Sequence, residues 1–214
     1  MVYGMERGYR SSILLAILTV ICAGSAGCLS SIFVPAPHNN ATIPIATPTT
    51  ESPLATLSAG DMALQLSDLP SDYILRDRTA IAYAGISQVF QDLGWQQGYQ
   101  VSYYRMDKDV NDITTIVQEI NLYPLDNVKE VYSLEKEALL PLEDNTTDYQ
   151  VPFPLQGDRS IAWRETRSGD HGTLVTYTVI FTKKNVYEKI SMTGTTTDYE
   201  ALKDIAQKAV AKIR

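Results

Sequence analysis

The chain has 214 residues, of which 44% are hydrophobic and 20% are charged, and its net charge is −7. This composition fits one globular domain with tails better than a disordered or multi-span protein. Two of the 18 basic and two of the 25 acidic residues precede residue 59, so 16 basic and 23 acidic residues remain beyond it. That part lacks the positive field that attracts nucleic acids, and we expect no nucleic-acid partner.

The N-terminus has the three-part order of an export signal. Arg7 and Arg10 precede an apolar run, residues 13–23, and a stretch of small residues that ends at Cys28. The apolar run is shorter than the ~20 residues that a membrane-spanning helix needs. We therefore interpret residues 1–27 as a signal peptide or membrane-targeting segment.

The end of this segment predicts a lipid anchor. Ser25-Ala26-Gly27-Cys28 resembles a lipobox, in which small residues admit the peptidase and the cysteine thiol accepts the lipid. The sequence departs from the usual pattern at Ser25, where Leu or a similar residue is common. The alternative is an uncleaved signal anchor over residues 11–28. Both interpretations leave the arginines in the cytoplasm and place the remaining chain at the outer face of the membrane.

Residues 28–58 are rich in Pro, Thr, Ala and Ser and have too little periodic apolar surface to offset the entropy of ordering. We interpret them as a lipid-anchored linker to a single extracytoplasmic domain, residues 59–214. Two N-glycosylation sequons make Asn40 and Asn145 candidate glycosylation sites.

Beyond residue 58 the periodicity predicts six strands and three helices. The strands are predicted at residues 73–78, 99–106, 113–122, 160–165, 174–182 and 186–193. The helices are predicted at residues 86–93, at residues 126–140 with an Asp126 cap, and after a capping box formed by Thr197 and Glu200. Short polar breaks indicate that the last three strands form an antiparallel meander. The predicted fold class is α+β, an antiparallel sheet of about six strands packed with two or three helices as an α/β/α sandwich.

Several short motifs carry a resemblance to known proteins. Asp68-Leu69-Pro70, Asp92-Leu93-Gly94-Trp95 and Gly98-Tyr99 resemble the corresponding stretches of uncharacterised surface lipoproteins of methanogenic archaea. The order of elements is similar to that of PsbP-type α/β/α sandwiches, which include mycobacterial lipoproteins of the LpqN kind. This resemblance implies a domain that binds or assists other proteins without catalysis, and it assigns no residue a role.

The predicted domain offers few side chains for catalysis or metal binding. Both cysteines, Cys22 and Cys28, precede it, so it can form neither a disulfide nor a Cys-ligated metal site. His171 is its one histidine and lies in a polar turn that is typical of an exposed loop. The motifs of common hydrolases and nucleotide-binding enzymes do not occur.

An acidic stretch at residues 107–112 matches the first three ligand positions of a calcium loop. The sixth position is Asp112 where the loop needs Gly, and the twelfth is Gln118 where it needs a bidentate Glu. We therefore interpret the stretch as a hairpin loop and expect neither a metal nor a cofactor.

Aromatic residues provide the candidate binding surface. Eleven tyrosines and two tryptophans follow residue 58, and exposed rings can stack against sugars or a protein partner. We select Trp95, Tyr99 and Tyr104 as the candidate surface, although strand alternation places Tyr99 and Tyr104 on opposite faces.

These observations favour a membrane-anchored, non-catalytic binding or assembly domain with a protein or carbohydrate partner at the cell surface. The alternative is an extracytoplasmic hydrolase that uses only carboxylates, as glycosidases do with two Asp or Glu residues. Paired carboxylates in a deep cleft would favour the hydrolase, and an aromatic surface would favour the binding domain.

Replacement of Cys28 tests the anchor. The Cys28→Ser chain should accumulate with its signal uncut or be released from the membrane, because no thiol remains to accept the lipid. The native protein, as the control, should partition into detergent. An intact mass that corresponds to all 214 residues without lipid, measured on native protein extracted from the membrane, would contradict lipidation and leave the uncleaved anchor.

Overall fold

Seven strands in one antiparallel sheet form the frame of the domain in a computed structural model, which describes residues 54–106, 113–139, 148–169 and 172–214. The order across the sheet is β1-β2-β3-β7-β6-β5-β4. The strands are β1 (Ile74–Ile81), β2 (Gln97–Met106), β3 (Ile113–Leu122), β4 (Tyr149–Val151), β5 (Arg159–Gly169), β6 (Gly172–Lys183) and β7 (Val186–Gly194).

Four α-helices accompany these strands in the described part of the chain. They are α1 (Ala59–Met62), α2 (Gln88–Asp92), α3 (Val128–Ala138) and α4 (Tyr199–Lys212), and single 3₁₀ turns occur at Leu66–Asp68 and Tyr83–Gly85. No described helix is both long and apolar enough to cross a bilayer.

The α+β class and the antiparallel meander of β5, β6 and β7 are confirmed, but the described residues form seven strands and not six. The missed strand, β4, has three residues, which is too short for an alternating pattern to be recognised. The four-residue helix α1 was also missed for its length. Gly94, which was predicted to end α2, follows that helix with a left-handed φ of 75°.

The predicted helix starts need correction. Helix α4 is capped by Asp198, whose carboxylate accepts hydrogen bonds from the backbone N–H groups of Glu200 (3.0 Å) and Ala201 (3.1 Å), and not by Thr197. A carboxylate next to the first turn also interacts favourably with the helix dipole. Helix α3 follows Asn127 and not Asp126, without a side-chain cap.

Alternation along the strands produces two cores, one on each face of the sheet. On the face that we call the α4 face, α1, α4 and the segment 54–69 cover the inward residues of the central strands. On the opposite face, the α3 face, α2 and α3 cover a smaller core. The α4-face core includes Tyr103, Ile116, Ile120, Phe181, Ile190, Leu202 and Ile205, and the α3-face core includes Trp95, Tyr123, Val131, Ile180 and Tyr187.

Polar groups on the α4 face bind the backbone of the segment 54–69. Ala55 N–H donates to Asn185 Oδ1 (2.7 Å), Thr56 N–H donates to the Arg214 carbonyl (2.9 Å), and Leu64 N–H donates to Gln118 Oε1 (2.7 Å). The last residues of the predicted linker, from Leu54 onwards, therefore pack within the folded unit.

A carboxyl group lies in the middle of this core. Glu188 on β7 is fully buried, and its Oε1 accepts a 2.5 Å hydrogen bond from Gln118 Nε2, while Oε2 has no partner. Burial raises the pKa of Glu188 to about 8. The Gln118 hydrogen bond and the charge of Lys212 act in the opposite direction and limit this rise in pKa.

Truncation of the α4 interface should destabilise the fold. Ile205 is 1% exposed in the α4-face core, so Ile205→Ala should lower the free energy of unfolding by about 2 to 5 kcal/mol through lost burial and a cavity. Gln207→Ala is the matched control, because Gln207 is exposed on the same helix and its loss should change stability by less than about 0.5 kcal/mol. Urea unfolding of the full chain measures both variants. An Ile205→Ala chain that is as stable as the Gln207→Ala chain would contradict this packing.

Stability should also depend on the protonation of Glu188. Its pKa is raised from 4.5 to about 8 on folding, so the folded state holds more protons than the unfolded state between these pH values. Stability should therefore fall as pH rises through this window, by at most about 1.4 kcal/mol per pH unit, and level off above it. Urea unfolding at pH 5, 7 and 8.5 should show that Glu188→Gln loses this dependence, whereas Glu137→Gln, on the exposed side of α3, should keep it. Parallel profiles for Glu188→Gln and the native chain would refute the assignment.

Candidate functional site

A cavity of roughly 220 Å³ opens on the α3 face, between the segment that leads into α2, helix α3 and the central strands. We call it the carboxylate cleft. It is lined by Gly85, Ile86, Ser87, Phe90, Glu119, Asn121, Tyr123, Glu135 and Tyr187.

The pairing of β3 with β7 positions the floor of the cleft. Glu119 and Asn121 are two residues apart on β3 and therefore share one face. In the register of the two strands, Asn121 lies opposite Tyr187 and Glu119 lies opposite Lys189. Glu135 reaches the same place from α3, where Tyr187 and Lys189 both contact it.

Hydrogen bonds hold both carboxylates in position but leave one oxygen of each available. Glu119 Oε1 accepts from Asn121 Nδ2 (2.8 Å), and Glu135 Oε2 accepts from Tyr187 Oη (3.1 Å) and Lys189 Nζ (3.3 Å). No residue in the described part of the chain donates to Glu119 Oε2 or to Glu135 Oε1. The cleft thus presents two carboxylate oxygens that can accept further hydrogen bonds.

Tyr123 contributes a third polar group. Its side chain is 2% exposed, and no described residue makes a hydrogen bond to its hydroxyl group. Its ring lies 6.5 Å from the Phe90 ring at an interplanar angle of 59°. Burial raises the pKa of the Tyr123 phenol, and the negative charges of Glu119 and Glu135 raise it further. Both glutamates therefore act on the same hydroxyl group.

Tyr187 experiences the same environment. Burial raises its pKa well above the ordinary value, and the charge and hydrogen bond of Glu135 add to this effect. Both phenols thus stay protonated at neutral pH and can donate hydrogen bonds.

The described residues contain no group of three or more His, Cys, Asp or Glu side chains that could hold a metal ion. The cleft has two carboxylates, and the Asn121 Oδ1 atom that could join them already accepts from Trp95 Nε1 at 2.7 Å.

The three aromatic residues selected from the sequence do not form one surface. Trp95 is buried at 9% exposure in the α3-face core, where it supports Asn121 from behind the cleft. Tyr99 is half-buried on the α4 face, and Tyr104 is half-buried on the opposite face. The ring of Trp95 fits under the sheet because Gly98 has no side chain. A Cβ atom at Gly98 would lie 2.8 Å from Trp95 Cζ2, which is too close.

The other predicted positions lie outside the described residues. These are the lipid attachment at Cys28, the sequons at Asn40 and Asn145, the acidic stretch 107–112 and His171. They stay predictions.

The sequence reasoning missed Glu119, Tyr123 and Glu135. One signal was available, because Glu119 interrupts a strand that is otherwise rich in β-branched and apolar residues. The sequence pattern does not indicate which helix covers that position, so Glu119 and Glu135 could not be paired.

Comparison with known proteins finds similarity at the level of the fold. The extracellular domain of PknH from Mycobacterium tuberculosis superposes with a TM-score of 0.52 at 11% identity, over 71% of this chain and 92% of that domain. A putative uncharacterised protein from Mycobacterium smegmatis gives a TM-score of 0.42 at 12% identity, over 73% and 96% of the two chains. No family model and no curated protein matches the sequence.

Proposed function

We propose that this protein is an extracytoplasmic, non-catalytic binding domain, held at the membrane by its N-terminus, that binds a small ligand in the carboxylate cleft. The N-terminal signal with Cys28 supports the location, as does the shared fold with an extracellular domain. The predicted glycans at Asn40 and Asn145 and the resemblance to surface lipoproteins agree with this location.

The unsatisfied polar groups of the cleft are the observation that carries the proposal. The Tyr123 side chain is buried and those of Glu119 and Glu135 are half-buried, and polar groups removed from water nearly always have hydrogen-bond partners. Here the Tyr123 hydroxyl, Glu119 Oε2 and Glu135 Oε1 have none among the described residues and line one cavity. A concave site with a few convergent polar groups and aromatic walls is typical of small-molecule recognition.

The alternative, a carboxylate-only hydrolase, gains support from the presence of two glutamates in one cleft. Such enzymes need one carboxyl group that carries a proton to the leaving group. Both glutamates, however, act as hydrogen-bond acceptors, Glu119 towards Asn121 and Glu135 towards Tyr187 and Lys189. No described contact accepts a proton from either of them, so neither is held as the acid. The contacts therefore support binding more than catalysis.

Native mass spectrometry of the full chain, extracted from its own membranes, tests this proposal. The native protein should carry a small noncovalent adduct, and Glu119→Gln should lose most of it because the cleft loses one charged acceptor. Glu130→Gln, whose side chain is exposed on α3, should retain it. An adduct of equal occupancy in all three proteins, or none in the native protein, would contradict the use of this cleft. An adduct that is chemically cleaved on standing would favour the hydrolase.

A further inference from the structure

We infer that the ligand of the carboxylate cleft is a small protonated primary amine, whose ammonium group lies between Glu119 and Glu135. This inference rests on the proposed function and deepens it. It is carried by three independent features of the cleft, namely its charge, its unsatisfied acceptors and its rings.

Charge is the first feature. Two carboxylates face the cavity, and Lys189 is the one described cation that contacts either of them, through Glu135. The cleft therefore holds an excess of one negative charge. Both glutamates are half-buried, and an unpaired charge is costly to remove from water, so a monovalent cationic ligand would provide the missing partner.

Hydrogen bonding is the second feature. Glu119 Oε2 and Glu135 Oε1 can only accept as carboxylates, and the Tyr123 oxygen can accept as well. A primary ammonium group has three N–H donors and no acceptor, so its donors correspond in number and type to these three acceptors. A quaternary ammonium ion has the charge but no donors, and a sugar has donors but no charge.

The aromatic walls are the third feature. Phe90, Tyr123 and Tyr187 line the cavity, and aromatic faces attract cations, most strongly where water is excluded. The carboxylates and rings together thus favour an organic cation over a neutral polar ligand.

The volume limits the size of this amine. A cavity of roughly 220 Å³ corresponds to about seven water molecules at ~30 Å³ each. The ligand therefore has on the order of seven non-hydrogen atoms, which is less than a drug-sized molecule that needs ~300 Å³ or more.

Calorimetric titration of the full chain in detergent tests this inference with four probes. Butylamine has the charge and the donors, tetramethylammonium has the charge alone, 1-butanol has the chain without the charge, and glucose represents a carbohydrate. We expect butylamine to bind at least about tenfold more tightly than each of the other three, since it alone forms charge-assisted hydrogen bonds.

Three variants locate the ammonium group. Glu119→Gln and Glu135→Gln should each weaken butylamine binding at least about tenfold, because each removes a charged acceptor. Tyr123→Phe keeps the ring and should weaken binding about two- to tenfold. Glu137→Gln, exposed two residues beyond Glu135 on the same helix, should have no effect. Thermal unfolding of each variant identifies any loss of binding that comes from loss of the fold. If a glutamate variant unfolds, Tyr123→Phe serves as the test, because it removes only one atom.

The outcomes separate the inference from the proposed function. Glucose or 1-butanol binding that depends on Glu119 and equals or exceeds butylamine binding would overturn the amine and leave the cleft as a binding site. Equal binding of tetramethylammonium would overturn the role of N–H donors. Butylamine binding that is unchanged in Glu119→Gln would overturn the inference, and absence of butylamine binding would do the same. These results leave the proposed function in place. The proposed function fails as well only if native mass spectrometry of the native protein finds no adduct whose occupancy depends on Glu119.

Discussion

The antiparallel pairing of β3 with β7 is the constraint on which the rest of the domain depends. The order of the sheet places β1 and β2 on one side of this pair and β6, β5 and β4 on the other. The paired residues run from Thr115 opposite Thr193 to Leu122 opposite Val186, so they are far apart along the chain. Because side chains alternate with a period of two, a slip of one residue would exchange the contents of the two faces.

This register positions both the carboxylate cleft and the buried Glu188. On the α3 face it brings Asn121 opposite Tyr187 and Glu119 opposite Lys189, which forms the floor of the cleft. On the α4 face it brings Gln118 within hydrogen-bond distance of the buried Glu188. Gln118 in turn binds Leu64 in the segment that enters the domain. The same two strands therefore connect the cleft to the end of the chain that leads to the predicted anchor.

Glu188 and the carboxylate cleft differ in their access to solvent, and this difference indicates which of them can bind a ligand. Glu188 is fully buried in the core under α4, where its charged form lowers stability. Glu119 and Glu135 line a cavity, where a ligand can pair with them. The shared fold with an extracellular domain does not select between binding and catalysis, because one fold supports many functions. The contacts of the cleft therefore carry the functional argument.

The strands could be predicted from the sequence because alternation is a local property, and the bounds of β3 agree with the prediction residue for residue. Short elements such as β4 escaped prediction because three residues carry too little pattern, and the α4 cap moved by one residue because Thr197 and Asp198 compete for the same role.

Burial of the aromatic residues could not be predicted in the same way. Trp95 was selected as a surface ring, yet it packs beneath the sheet against Asn121. The sequence by itself predicted an export signal, which stays a prediction, and determined most of the strands and the α+β class, since these follow from composition or spacing along the chain. Only the tertiary structure decided which carboxylates meet, because Glu119 and Glu135 come from a strand and a helix whose packing depends on the long-range pairing of β3 with β7.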